Sequence, residues 1–345
     1  MTRATPNEEG DVMINIEDAY ARLASLSAAN LGKTAPNPNV AAAIYSADGT
    51  LIAEGAHNRF IAPDHAEVVA IKKAGEAASG AAIVVSLEPC NHTGATGACV
   101  DAIIEAGIAK VIYAVKDTNP IAAGGADRLK SAGIEVEYIE SKQLRATQGA
   151  WLHRIATGRP YFIWKVAASL DGRIAASDGT SQWITSPESR ADVQYLRAQS
   201  DAILIGTGTA LADNPTLRPR IEGATNPIRI VMGGRDVPAD FNLNDGKSQT
   251  IFLKSHSIED LLKALDYIPV NQVLVEAGPE LGSALFAAGV IDEVILYQAP
   301  ILLGAGKNWL EDIGVTTIKD AYVLSAPSIT ACGPDFKFRY RVEKR

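Results

Sequence analysis

Apolar positions change their spacing along this chain, and the changes predict alternating helices and strands. Over residues 16–31 they recur at helical intervals (Ala19, Leu23, Leu26), the mark of a helix with one buried face. Residues 40–45 and 51–54 read as two strands joined by a turn at Asp48-Gly49, hence a hairpin. A helical stretch over 65–78 follows, then a buried strand over 82–87, a Gly-rich loop, a helix over 99–106 and a strand over 110–115. Residues 127–132 and 135–139 add one more helix and strand, and residues 141–157 read as one connecting helix stopped by Gly158 and Pro160.

The pattern then restarts. Strands are predicted over 161–168, 202–205, 228–232, 250–253, 272–276 and 293–298, and helices over 188–198, 258–265 and 280–288. Residues 218–226 read as a surface loop. Strands alternating with helices of these lengths imply layered α/β sheets covered on both faces, here two in succession. A chain of 345 residues is long for one core and suits two. We therefore expect a tail over residues 1–13 that is polar and disordered, a first domain over 14–158 and a second over 159–345.

Composition narrows the function classes. The net charge is −8 and no basic cluster interrupts it, which argues against a long contact with nucleic acid. The apolar runs are strand-length and the N-terminus lacks the core of a signal peptide, so a cytoplasmic protein without a membrane span is expected. Three cysteines, Cys90, Cys99 and Cys332, are too few and odd in number for a disulfide scaffold.

Two of those cysteines carry the strongest chemical signal. His65-Ala66-Glu67 precedes Pro89-Cys90, and eight residues separate Cys90 from Cys99. One imidazole and two thiolates are three of the four ligands of tetrahedral Zn²⁺, leaving one position for water as catalytic sites do. His65 and Cys99 fall at predicted helix starts, where a thiolate is favoured. Glu67, beside the ligand, is placed to take a proton from water and give it to departing ammonia, the division of labour of zinc deaminases. Any one of these residues alone would read better as a core or helix-end residue; their coincidence does not. Asp64 reads as the cap of the helix that follows. His57 and His92 read as loop or supporting polar residues.

Taken together, Asn37-Pro38-Asn39-Val40, Glu54-Gly55 with His57, His65-Ala66-Glu67, Leu87-Glu88-Pro89-Cys90, Cys99 and Asp117 with Asn119-Pro120 resemble the bifunctional riboflavin-pathway pyrimidine deaminase/reductase family. The likeness continues through residues 165–172, Ser181-Gln182-Trp183-Ile184-Thr185, Leu196-Arg197-Ala198, residues 206–215, Val275-Glu276-Ala277-Gly278-Pro279 and Ala299-Pro300 with Leu303-Gly304, and so runs from Ile14 onward. It implies a cytidine-deaminase-like α/β/α layered domain followed by a dihydrofolate-reductase-like α/β domain. The first would deaminate a diaminopyrimidinone ribosylamino 5′-phosphate with Glu67 on a His65/Cys90/Cys99 zinc. The second would reduce the ribosyl group to ribityl with NADPH. By matched position Ser181, Arg197, Leu217, Arg220 and Glu276 would contact substrate. Ala167, Trp183, Thr209, Asp213 and the stretch Gly278, Pro279, Glu280, Leu281, Gly282, Ser283 and Ala284 would contact NADPH, the stretch as a phosphate-binding helix start. The likeness also implies a homo-oligomer acting on a small phosphorylated pyrimidine.

Some positions depart from the family pattern. Ala95 stands where a Lys or Arg is usual in the loop before Cys99, and Gly233-Gly234 replaces Asp-Ser after a strand, which leaves NADPH against NADH open. Two other readings compete. One is a nucleoside or base deaminase with an unrelated second half; the other is a binding or regulatory protein keeping only a structural zinc, against which Glu67 speaks.

Overall fold

The computed structural model describes residues 14–92 and 97–343. The expected tail and Ala95 lie outside the described residues. The chain divides into two compact units, Met1–Gly158 and Arg159–Arg345. No helix among the described residues is long and apolar enough to cross a membrane.

The first unit runs α1 (Ile16–Ala29), β1 (Ala41–Tyr45), β2 (Leu51–Ala56), α2 (Ala66–Ala74), β3 (Ala82–Val85), α3 (Cys99–Glu105), β4 (Lys110–Tyr113), α4 (Gly125–Ser131), β5 (Glu135–Tyr138), α5 (Lys142–Thr147) and α6 (Gly149–Thr157). Its sheet has the order β2-β1-β3-β4-β5, with β1 antiparallel to both neighbours and β3, β4 and β5 parallel. Strands β1 and β3 are buried at every position, which is why they read as unbroken apolar runs rather than alternating ones. Asn15 starts α1 by accepting from the amides of Glu17 and Asp18.

Helix α2 lies hard against the hairpin because the contact residues are small. A Cβ on Gly55 would come within 2.6 Å of the Ala70 amide nitrogen, and Ala66 and Ala70 are wholly buried. This close approach fixes the start of α2, and with it His65 and Glu67. The single helix expected over 141–157 is instead two, broken at Gln148. The Gln148 side chain is buried and its Nε2 donates to the Ser86 carbonyl at 3.0 Å, at the end of β3. That inward polar anchor replaces a helical turn.

The second unit runs β6 (Tyr161–Ser169), β7 (Arg173–Ala175), α7 (Pro187–Ala198), β8 (Ala202–Gly206), α8 (Thr207–Asp213), β9 (Ile228–Met232), β10 (Thr250–Leu253), α9 (Ile258–Asp266), β11 (Gln272–Val275), α10 (Pro279–Ala287), β12 (Glu293–Ala299), β13 (Lys307–Asn308), β14 (Ser328–Cys332) and β15 (Asp335–Arg341). The eight-stranded sheet is ordered β10-β9-β8-β11-β6-β12-β15-β14. The first six of these are parallel; β15 and β14 close the edge as an antiparallel hairpin. Buried clusters cover both faces, one around Trp164, Leu265 and Phe286, the other around Ile163, Leu196 and Tyr297. Arg159 opens this unit with two 2.7 Å bonds to the Asp292 carboxylate, whose Oδ2 also accepts from the Phe162 amide at 2.9 Å.

Candidate active sites

In the first unit, three side chains meet where α2 and α3 begin. His65 is the residue capping α2 by position, in extended backbone, and Cys99 is the first residue of α3. Cys90 lies in the loop after β3. His65 Nδ1 is 3.2 Å from Cys99 Sγ and 3.6 Å from Cys90 Sγ, and the ligand atoms of all three lie within 4.8 Å of one another. A zinc ion with its usual bond lengths spaces tetrahedral N and S ligands by about 3.5–3.8 Å. The donor set therefore fits Zn²⁺ in type and in spacing.

The electrostatics agree. Hydrogen bonds from Cys99 and His65 outweigh burial and hold the Cys90 thiol well below its ordinary value, which favours a thiolate at that position. The same bond to Cys90, with burial, pushes Cys99 up, and the Cys90 contact raises His65. A divalent cation would displace those retained protons. Glu67, in the first turn of α2, is only 3% exposed, and burial lifts its carboxyl to about 7. Its Oε2 is buried without a hydrogen-bond partner among the described residues. A buried carboxyl with one free oxygen beside a metal-ligand cluster is suited to exchanging a proton.

Asp64 does not cap α2. The chain enters the helix with His65 in the capping position, and the Asp64 carboxylate turns to pair with Lys72 at 2.6 Å. His57 proves to be a brace. It is buried, with Nδ1 2.9 Å from the Asp64 carbonyl and Nε2 3.1 Å from Asn37 Nδ2, and its ring meets His65 edge-on at 5.4 Å. Burial pushes His57 down, consistent with a neutral ring that donates from Nδ1 and accepts at Nε2. Glu88 is a second brace: its carboxylate accepts from the amides of Ala126 at 3.1 Å and Asp117 at 3.3 Å, which pins the segment leading to Cys90. Asp117 is itself pushed up to about 6 by burial.

The second unit holds a cavity of about 290 Å³ at the C-terminal ends of β6, β8 and β11, the edge where parallel α/β sheets bind ligands. Of the expected substrate contacts, Ser181, Arg197, Leu217 and Glu276 line it; of the expected cofactor contacts, Ala167, Trp183, Thr209, Asp213, Gly278 and Pro279 do. Arg220 lines an adjoining cavity of about 490 Å³ that shares Lys165, Arg190, Arg197 and Glu276 with the first. Glu280, Leu281, Gly282, Ser283 and Ala284 lie within α10 and are not among the lining residues. The Gly282 amide is spent on the helical bond to the Gly278 carbonyl at 3.0 Å, and Ser283 Oγ accepts from the Glu311 amide at 2.9 Å. A Cβ at Gly282 would run into the Trp164 indole, so that glycine serves helix packing.

Charge in this cavity is organised around one pair. Arg197 Nε and Nη2 grip the two Glu276 oxygens at 2.6 and 2.8 Å. Burial works to raise Glu276, yet the Arg197 guanidinium holds the carboxyl below its ordinary value. Lys165 projects from β6 into the same space, and burial lowers its ammonium, opposed by Glu276. It was not among the expected contacts. The signal was present, since a lysine inside the apolar run of a central strand is rarely there for packing. Trp183 is 67% exposed at the mouth, with the Arg190 guanidinium 4.5 Å above its ring. Leu217 is held at a φ of +53°, a left-handed conformation unusual for leucine, in the cavity wall. The open space around Gly278 and the exposed indole leave room for a flat, phosphorylated cofactor.

Comparison with known proteins follows the same division. Residues 15–115 match the cytidine and deoxycytidylate deaminase zinc-binding region, and residues 160–338 match the RibD C-terminal domain. The riboflavin biosynthesis protein RibD of Mycobacterium tuberculosis is 42% identical over 314 residues, covering 88% of this chain and 91% of that protein. The solved structure of Acinetobacter baumannii RibD superposes with a TM-score of 0.86 at 34% identity, over 95% of this chain and 99% of that one. A diaminohydroxyphosphoribosylaminopyrimidine deaminase/5-amino-6-(5-phosphoribosylamino)uracil reductase from Thermotoga maritima superposes with a TM-score of 0.83 at 29% identity, over 94% and 98% of the two chains. With its zinc-ligand cluster in one unit and its charged cavity in the other, the chain belongs to the RibD family of bifunctional riboflavin-biosynthesis enzymes, a deaminase followed by a reductase.

Proposed function

We propose that the first unit hydrolyses the 2-amino group of 2,5-diamino-6-ribosylamino-4(3H)-pyrimidinone 5′-phosphate, and that the second then reduces the ribosyl group of the product to ribityl with NADPH. The observation that carries the first half is the buried Glu67 carboxyl, with Oε2 free of a partner, beside His65, Cys90 and Cys99. Those three residues would hold zinc, which when bound would supply the Lewis acidity that activates water near neutral pH. Glu67 Oε2 accepts the proton and returns it to the departing amine, a task suited to a carboxyl poised near 7. His57 and Glu88 keep the ligand-bearing segments in register.

The second half rests on the cavity around Lys165, Arg197 and Glu276. NADPH, when bound along Ala167, Trp183, Thr209 and Asp213, would supply the hydride for C1′ of the ribosyl group, whose bond to the ring oxygen breaks as that oxygen takes up a proton. Lys165 is the donor best situated for that oxygen, and Glu276, fixed by Arg197, orients it. Arg220 faces the adjoining space, where charge-assisted bonds suit the substrate's 5′-phosphate. All three cysteines are free and two serve as metal ligands, which supports a reducing, cytoplasmic setting. The test is to give zinc-loaded protein the diaminopyrimidinone phosphate, first without and then with NADPH, and identify products by mass. Ammonia and the uracil derivative are expected before NADPH is added and the ribityl product only after it. Reduction ahead of ammonia release would overturn the order.

A further inference from the structure

Trp183 and Arg190 border both cavities of the second unit, and the chemistry above gives Arg190 no task. Residues 181–183 are exposed, and the Trp183 indole is 67% so; packing alone does not fix its angle. An exposed side chain changes rotamer on the picosecond-to-nanosecond scale unless something holds it. Arg190, in the first turns of α7, supplies the hold. Its guanidinium lies 4.5 Å from the centre of the indole, and Nη1 donates to the Thr185 carbonyl at 2.6 Å. That second contact ties the cation to a firm base. Thr185 is buried, and the next residue, Ser186, caps α7 by accepting from the Ser189 amide at 3.2 Å while its own amide donates to Asp335 Oδ2 at 2.7 Å.

The Arg190 side chain makes no ion pair among the described residues, so no carboxylate competes with the ring for its charge. A cation over an indole face is attracted by the ring quadrupole, an effect worth about two- to thirtyfold in an equilibrium. We propose that Arg190 is a positioning residue of the reductase: it holds the Trp183 indole as a fixed partition between the two cavities, in the orientation that the nicotinamide dinucleotide meets. The role rests on the reductase reading above. Because the ring is ordered before the ligand arrives, binding does not carry that ordering cost, and the gain falls on affinity. The competing use of Arg190, as a direct ligand of a substrate or cofactor phosphate, would not depend on the indole at all.

The test compares the full chain with Arg190→Gln, Arg190→Lys, Trp183→Leu and the double variant Trp183→Leu/Arg190→Gln. Without ligand, Arg190→Gln should move tryptophan emission to longer wavelength as the indole face opens to water, and the same change in the Trp183→Leu background should move nothing. By calorimetry, Arg190→Gln should weaken NADPH binding by about two- to thirtyfold, with the loss falling on KM for NADPH more than on kcat. Arg190→Lys, which keeps a cation over the ring, should recover part of the affinity. In the double-mutant cycle, Arg190→Gln should cost nothing beyond Trp183→Leu. Full additivity would mean that Arg190 acts on the ligand without the indole, and it overturns the proposal. So do unchanged emission and affinity in Arg190→Gln, an outcome that leaves the reduction standing. A parent chain that binds no NADPH would remove both.

Discussion

The two active sites are built in opposite ways. In the first unit the chemistry sits on three short segments, His65 to Glu67, Cys90 and Cys99, set at two helix starts and one strand exit. In the second unit the cavity draws on β6, the segment around Trp183, α7, α8, the turn at Leu217 and the start of α10, and its central pair joins residues far apart in sequence. The first site needs few contacts to be right, because a metal ion gathers its own ligands. The second exists only when the whole sheet is assembled, so its integrity and the stability of its domain are one property.

That contrast can be broken or sharpened. The largest expected effect is at Glu67. Glu67→Gln should cut ammonia release by about 10²–10⁴-fold, the usual worth of a positioned acid/base, with zinc content retained. Reduction of the uracil intermediate, supplied directly, should be unchanged; a parallel fall would mean that the two sites are not separable. Next comes Arg197→Met, which strands the Glu276 carboxylate, 9% exposed, without its partner. Removing one member of a buried pair costs about 3–5 kcal/mol, so urea unfolding of the second unit should shift strongly and reductase activity fall with it, while deamination persists. Gly282→Val should destabilise the same unit by about 1–3 kcal/mol through overpacking against Trp164, read as a lower melting temperature. The smallest effect is a displacement along the pH axis. Because burial lowers Lys165, its proton is lost as pH rises through a value under the usual lysine figure of about 10.4. The alkaline limb of the reductase profile should therefore lie below that figure, and a limb at the ordinary value would separate Lys165 from the proton transfer.

The same contrast explains what could be read from the sequence. The zinc cluster was legible because its residue types are rare together and their spacing places them at element ends. Most cavity residues are assigned only through family likeness, and Lys165, although it lies in a matching stretch and interrupts an apolar strand, receives no contact role from it. In the stretch from Gly278 to Ala284 the two glycines have different settings, Gly278 in open space at the cavity and Gly282 packed on Trp164, and the sequence pattern does not tell them apart. The split at Gln148 was invisible because helix periodicity continues on both sides of the break. The closing hairpin of β14 and β15 was also missed, although Phe336, Phe338 and Tyr340 alternate and Gly333 turns the chain at a φ of +64°. Only its pairing with β12 makes it part of the sheet.

The clasp between Arg159 and Asp292 bears on how such a protein could be assembled or taken apart. Because the opening residue of the second unit is fastened to that unit's own β12 end, and Gly158 before it is the plain terminus of a helix, a gene cut between these codons would sever no side-chain bond of this clasp. The clasp thus marks the residue at which the second unit's own bonding begins.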